Sequence, residues 1–286
     1  MFGMSPIQFQ DNVPHNRENW PEGLAKLSIP DIGIMLNPNE VDVVLDIHAL
    51  SDNENTNLDN DTLRGLAQRI DDAWHKFDHE AVFVKLGSRS PKDLPFFLLN
   101  RTMNREWPKI THPNDVLVVL LGESERTYDD LAAAKVTEYN PWIWLREWID
   151  IPKHQEFRCF QFEGRLAGVS QYFYNEYFEQ IQNINTAKIL QKIYQFHENF
   201  FHPVCHCNTV VFDVIVPDDD EVILLEINPF DGLTDPCLFT WTQPVFNEDL
   251  TINKKQKLDF HEFPTMRVVR EQIPKLNIDK YLQIKN

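Results

Sequence analysis

The stretch VVFDVIVPDDDEVILLEINPFDGLTD, Val210 to Asp235, constrains the fold more than any other. Two apolar runs flank an acidic turn, which reads as a hairpin over 210–228. Asp213, Glu226 and Asn228 interrupt runs that are otherwise apolar. Side chains alternate faces along a strand, so Glu226 shares a face with Leu224 and Asn228. A loop of two residues (Asp219, Asp220) or four (Asp218 to Glu221) sets Asp213 opposite Glu226; an odd-length loop separates them. Opposed like charges destabilise a bare sheet, and burying them unpaired is costly. Two readings follow. In one, a hard divalent cation such as Mg²⁺ takes the two carboxylates and the amide oxygen. In the other, this face is wet and the acids are hydrated. Asp218 to Asp220 are turn chemistry in either case.

The rest of the composition narrows the function. Of 286 residues only 9 are glycine, and neither a dinucleotide-binding fingerprint nor a P-loop occurs. A net charge of −17 opposes direct nucleic-acid binding, which needs clustered Lys and Arg, and suits a basic protein partner. Four cysteines without a regular framework indicate a reducing compartment. The N-terminus MFGMSPIQFQDN lacks the charge and apolar run of a secretion signal, and runs such as VLVVLL are too short to span a bilayer. The expectation is a cytoplasmic chain with no membrane contact.

Organisation reads as α+β with antiparallel sheet. EVDVVLDI is expected as a strand, followed by a polar loop over 51–61. A helix is expected from Thr62 to Phe77, with Leu63, Leu66, Ala67, Ile70, Trp74 and Phe77 on one face and Asp61 as N-cap. AVFVKLG begins as a strand and turns at Gly87. NDVLVVLLGES fits either a buried strand or a short helix capped by Asn114 or Asp115. PWIWLREWIDI is strand-like, and EFRCFQFEGRLAGVSQYF a hairpin turning at Glu163-Gly164. A helix is expected from about Asn185 to Phe201, with Leu190, Ile193, His197 and Phe200 on one stripe, and TMRVV adds a strand. HPVCHC places His202, Cys205, His206 and Cys207 together, but zinc sites combine two separated ligand pairs, so a helix-to-strand connection is the better reading. Cys159 alternates with apolar residues and reads as core.

Three cations stand in apolar surroundings. Lys85 either snorkels to the surface or meets a phosphate. Arg146 and Arg158 are either structural ion pairs, with Glu147 or Glu156 as partners, or phosphate clamps.

KLGSRSPKD from Lys85, LREWID from Leu145, EFRCF from Glu156, GVSQY from Gly168, VFDV from Val211 and INPFDGLTDPCLFTW from Ile227 occur in the order of one family. Over about Asp61 to Trp241 the chain resembles the cell division cycle protein 123 family, a divergent branch of the ATP-grasp fold. The resemblance implies two α+β lobes, 1–145 and 146–286, with antiparallel sheets gripping ATP and Mg²⁺. It implies that Lys85, with Ser88 and Ser90, contacts phosphate. It implies that Arg146, Glu147 and Trp148 flank adenine largely through backbone atoms, that Arg158 reaches the triphosphate, and that Asp213, Glu226 and Asn228 hold the metal. It implies an assembly chaperone for translation initiation factor 2 that binds the gamma subunit. The alternative is an ATP-grasp ligase that makes an acyl phosphate and joins it to an amine on a protein or peptide. The chain departs from the family pattern at Ser88, where an aromatic is usual, at Glu226, where Asp is usual, and at Glu147, where a basic residue is common.

Overall fold

The structure, a computed structural model, describes residues 5–50, 61–77, 81–91, 93–94, 109–122, 124–247, 253–260 and 263–271. The chain divides into two compact units. One is Met1–Asp150 with Ile227–Pro229; the other is Ile151–Glu226 with Phe230–Asn286.

In the first unit, helices α1 (Pro6–Asn12) and α2 (Glu22–Ala25) precede strand β1 (Asp31–Met35). Helices α3 (Pro38–Leu50) and α4 (Asp61–Trp74), strand β2 (Val82–Leu86), helices α5 (Pro113–Leu121) and α6 (Glu125–Val136), and strand β3 (Trp142–Glu147) follow. The strands form an antiparallel sheet in the order β1-β3-β2.

The segment expected as a strand, EVDVVLDI, is part of α3. A capping box decides it: Glu40 N–H donates to Asn37 Oδ1 (3.0 Å) and Asn37 N–H to Glu40 Oε2 (2.8 Å). Pro38 suits the first turn, and Val41 and Val44, three apart, are buried together. The ambiguous NDVLVVLL is helical, and His112, rather than Asn114 or Asp115, caps it by accepting from Asn114 N–H at 3.2 Å. Helix α4 buries Leu63, Leu66 and Ile70 of the expected stripe, with Ala73 beside them, while Ala67, Trp74 and Phe77 are half-buried and Asp61 is its first residue rather than its cap. The polar loop expected over 51–61 lies, except for Asp61, outside the described residues.

The sheet of this unit has two unlike faces. Ile34, Val82, Val84, Leu86, Ile143 and Leu145 meet α3, α4 and α5 in one apolar core. Because opposed residues share a face, Asp31, Phe83 and Arg146 lie on the other side, as do Gly33, Lys85 and Trp144.

In the second unit, strands β4 (Glu156–Phe162) and β5 (Arg165–Gln171) form the expected hairpin. Its turn residues Glu163 and Gly164 have φ of 51° and 75°, the left-handed pair a two-residue hairpin favours. Helix α7 (Ile184–Phe196) leads to strands β6 (Val210–Ile215), β7 (Ile223–Asn228, whose last two residues count with the first unit) and β8 (Thr265–Arg267). The sheet order is β7-β6-β4-β5-β8, antiparallel from β6 to β5, with β8 parallel to β5. The connection 216–222 has seven residues, an odd number, so it is neither of the two loops that would set Asp213 opposite Glu226.

Helix α7 ends in a π-helical turn, His197–Phe201. The wider turn shifts the stripe by one residue, so Phe201 is buried and Phe200 is 52% exposed. Phe201 stacks on Phe212 of β6 with centroids 4.0 Å apart. His197 is fully buried, with Nε2 2.7 Å from Gln161 Oε1 and Nδ1 2.9 Å from Glu198 Oε1. Burial lowers the His197 pKa despite the raising effect of Glu198.

A histidine depressed in the folded state contributes fully above its unfolded pKa of about 6.5, and that contribution is lost as pH falls towards the folded value. His197→Gln should therefore narrow the difference between urea midpoints at pH 7 and pH 5.5. An unchanged difference would show that His197 is not the group that titrates.

Candidate functional site

In the first unit the face opposite the core carries the charge. Lys85 is 4% exposed and Arg146 5%, so Lys85 does not snorkel. Arg146 sits opposite Asp31 in register, with Nη2 3.5 Å from Asp31 Oδ2. Arg17 forks onto the same carboxylate, Nε to Oδ2 at 2.8 Å and Nη2 to Oδ1 at 2.7 Å. Its guanidinium lies over the rings of Trp20 and Trp144, at 5.0 and 4.6 Å. One acid thus orders two arginines, and two indoles hold one of them.

The loop after β2 is tied down on both sides. Gly87 N–H donates to Trp142 O (2.9 Å), and Arg17 N–H to Gly87 O (3.1 Å). The Glu18 carboxylate occupies the space a side chain at Gly87 would need, accepting from Tyr139 Oη (2.6 Å) and Trp144 Nε1 (3.1 Å). Ser88 Oγ donates to Asp130 of α6, and Arg89 Nε reaches both Asp130 oxygens at 3.0 and 3.1 Å. Ser90 is buried. At the end of β3, Glu147 N–H donates to Pro30 O and Trp148 N–H to Ala81 O, at 2.9 and 3.1 Å.

In the second unit Arg158, Ser170 and Asp213 are opposed across β4, β5 and β6 and share one face. Arg158 and Asp213 are 5% and 2% exposed, so Asp213 is not hydrated. Arg158 grips Asp213 with both arms, Nε to Oδ1 and Nη2 to Oδ2, each at 2.8 Å. Its Nη1 donates to Asp235 O (2.7 Å), and its guanidinium lies 5.0 Å from the Tyr172 ring centroid. Burial pulls the Arg158 pKa down, but the charge and hydrogen bonds of Asp213 outweigh it and hold it above its ordinary value. The charge that sequence reasoning left to a cation is balanced, at Asp213, by Arg158. The acids anticipated as arginine partners were Glu147 and Glu156; the structure supplies Asp31 and Asp213.

The signature after β7 folds over this face. Leu238 N–H donates to Ser170 Oγ (3.1 Å), and Phe239 packs edge-on against Phe160 at 5.2 Å. Asp231 Oδ1 accepts from the N–H groups of Leu233 (2.9 Å) and Thr234 (3.0 Å); its pKa is nevertheless raised, by burial. Asp235 accepts from Tyr174 Oη (3.1 Å) and Cys237 N–H (2.8 Å). Glu226 and Asn228 are half-buried on β7, the strand beside β6.

Sequence reasoning missed Asp31, Asp130 and Asp235. Asp31 opens an alternating apolar run, a signal of the same kind as Asp213. Asp130 and Asp235 carry no local signal. HPVCHC is the connection between the π-helical turn and β6, and Cys159 is fully buried core. Among the described residues no three His, Cys, Asp or Glu side chains group to hold a metal, and no helix is long and apolar enough to cross a membrane.

A family model described as D123 matches residues 38–285. The translation initiation factor eIF2 assembly protein of Candida albicans is 31% identical over 207 residues, covering 67% of this chain and 54% of that protein. Cell division cycle protein 123 of Candida glabrata is 32% identical over 190 residues, covering 63% of this chain and 50% of that protein. The chain thus spans about half the length of the curated relatives it matches. The solved structure of Cdc123 from Schizosaccharomyces pombe aligns with a TM-score of 0.66 at 21% identity, covering 93% of this chain and 99% of that one, which shows a shared fold.

Removing one member of a buried ion pair strands the other. Arg158→Leu should destabilise the second unit by about 3–5 kcal/mol, and Arg158→Leu with Asp213→Leu should recover most of it. Urea unfolding checks both; a double variant as unstable as the single one would mean the loss is not the stranded charge.

Proposed function

Because the chain belongs to the D123 family, we propose that it binds ATP with Mg²⁺ and acts in the assembly of translation initiation factor 2, by contact with that factor's gamma subunit. The observation that carries the nucleotide half is the pair of buried cations, Lys85 and Arg146, on the sheet face turned away from the apolar core. Cations are not placed there to build that core, and their charge on that face suits an anionic ligand. The assembly half rests on the relatives' names. The net charge of −17 suits a basic surface on the partner.

The metal set fits by its chemistry. Asp213, Glu226 and Asn228 offer oxygen donors only, as a hard cation requires. Arg158 bonds one lone pair on each Asp213 oxygen, of the about four sites a carboxylate offers. Magnesium would supply charge to the phosphates and hold their geometry. Arg158 holds Asp213 in one rotamer, which makes it a positioning group as well as the phosphate contact the resemblance implies. Lys85, Ser88 and Ser90 would meet phosphate, and Arg146 would lie beside the nucleotide. The Glu147 and Trp148 N–H groups are engaged by Pro30 O and Ala81 O, so any backbone contact with adenine would go through their carbonyls. The ligase reading rests on Glu226 standing two residues before Asn228, the broader ATP-grasp pattern.

The test is to incubate the purified chain with ATP and Mg²⁺, remove free nucleotide, and chromatograph what stays bound. Intact ATP supports the binding reading, and ADP moves the weight to the ligase. Glu226→Ala and Lys85→Met should each abolish retention; undiminished retention in Glu226→Ala removes the metal set. Asp213→Ala is not a clean probe, because it strands Arg158. Capture of the gamma subunit by the wild-type chain tests the assembly half.

A further inference from the structure

Two arginines share Asp31 unequally. Its side chain is 2% exposed, and among the described residues Arg17 and Arg146 are the cations it meets. Arg17 takes both oxygens at hydrogen-bond length, Nε to Oδ2 at 2.8 Å and Nη2 to Oδ1 at 2.7 Å. Arg146 Nη2 stands 3.5 Å from Oδ2, the oxygen that already accepts from Arg17 Nε. Yet Arg146 is the natural partner by topology, since it lies opposite Asp31 on the adjacent strand. Arg17 comes from outside the sheet. Its backbone N–H is tied to Gly87 O, past the end of β2, while its guanidinium lies over the Trp144 ring and ends on the acid. Arg17 and Asp31 both precede the residues 38–285 that the family model matches.

A buried carboxylate that loses its main partner turns to the one that remains. We infer that Arg17 is a positioning residue: by occupying Asp31 it keeps Arg146 from closing on that acid and directs the Arg146 charge to an anion on the same sheet face. Its use rests on the nucleotide reading, in which the anion is the polyphosphate of MgATP. A planar fork held by two indoles suits this role, because it satisfies both carboxylate oxygens in one fixed geometry. Without Arg17 the acid would neutralise Arg146. Without both Arg17 and Asp31, Arg146 would keep its charge.

The test measures MgATP affinity of the full chain by equilibrium dialysis and follows the Arg146 guanidinium by NMR, its signals assigned by their loss in Arg146→Lys. Arg17→Met keeps an apolar stem against the indoles and should weaken binding about ten-fold or more, the size of one charge-assisted contact. Its Arg146 signals should shift and exchange with solvent more slowly. Arg17→Met with Asp31→Asn should restore both the affinity and the signals, and Asp31→Asn alone should bind no more weakly than the wild type. Undiminished binding in Arg17→Met overturns the inference. So does a double variant as weak as the single one, which would make Arg17 a direct ligand or a packing group, and so does weaker binding in Asp31→Asn, which decides the matter even where Arg17→Met does not fold. A wild-type chain that binds no MgATP removes the nucleotide reading instead. The guanidinium signals then decide alone, and Arg146 signals unmoved by Arg17→Met would show that Arg17 does not govern the pairing.

Discussion

Strand β6 is buried at every position from Val210 to Ile215, and Asp213 stands in its middle. A carboxylate there is tolerable only if it is matched, and the fork from Arg158 is the match. Such a pair adds little net stability against an apolar replacement, because both ions lose water. Its effect is geometric. The pair fixes the face that β4, β5 and β6 share, and the third arm of Arg158 takes the Asp235 carbonyl. The loop after β7 is then closed down by Leu238 on Ser170 and Phe239 on Phe160. The family signature INPFDGLTDPCLFTW is therefore a structural consequence of the acid in β6 as much as a set of contacts of its own.

The first unit solves the same problem with other parts. Asp31 sits at the start of β1 and draws Arg146 from β3 and Arg17 from the N-terminal segment. Trp144, one pleat along from Arg146, gives Arg17 a face to lie on, and Gly33 leaves room for the Trp142 and Trp144 rings. Both units thus hold an arginine in place with an aspartate on a neighbouring strand. In each, the opposite face of the sheet packs on helix.

Periodicity made most strands legible, because alternation and turn residues are local. The β4–β5 hairpin was readable from Glu163-Gly164, and α4 from its stripe. EVDVVLDI misled because β-branched residues occupy it, while the decisive contacts lie outside the apolar run, in Asn37 and Glu40. The π-helical turn left no trace in the pattern, since one extra residue per turn is imposed by Phe201 stacking on Phe212. For the site, residue types showed that Lys85, Arg146, Arg158 and Asp213 need partners. The partners are 115 residues away for Arg146 and 55 for Arg158, a distance no spacing argument crosses.

The fork on Asp213 also changes the charge balance of the proposed metal set. Two free carboxylates would neutralise a divalent cation by themselves. With Arg158 opposite Asp213, the set of Asp213, Glu226, Arg158 and Asn228 has a formal charge of −1, to which Asn228 adds nothing. Magnesium dehydrates reluctantly and is commonly held by one or two carboxylates together with phosphate oxygens. In that balance the missing negative charge comes from the nucleotide. The same holds in reverse on the first unit, where Lys85 and Arg146 suit an anion, and a bare triphosphate carries more charge than two cations and a shared aspartate can offset. On the proposed reading, a metal-bound nucleotide would suit each charge balance better than either ligand alone.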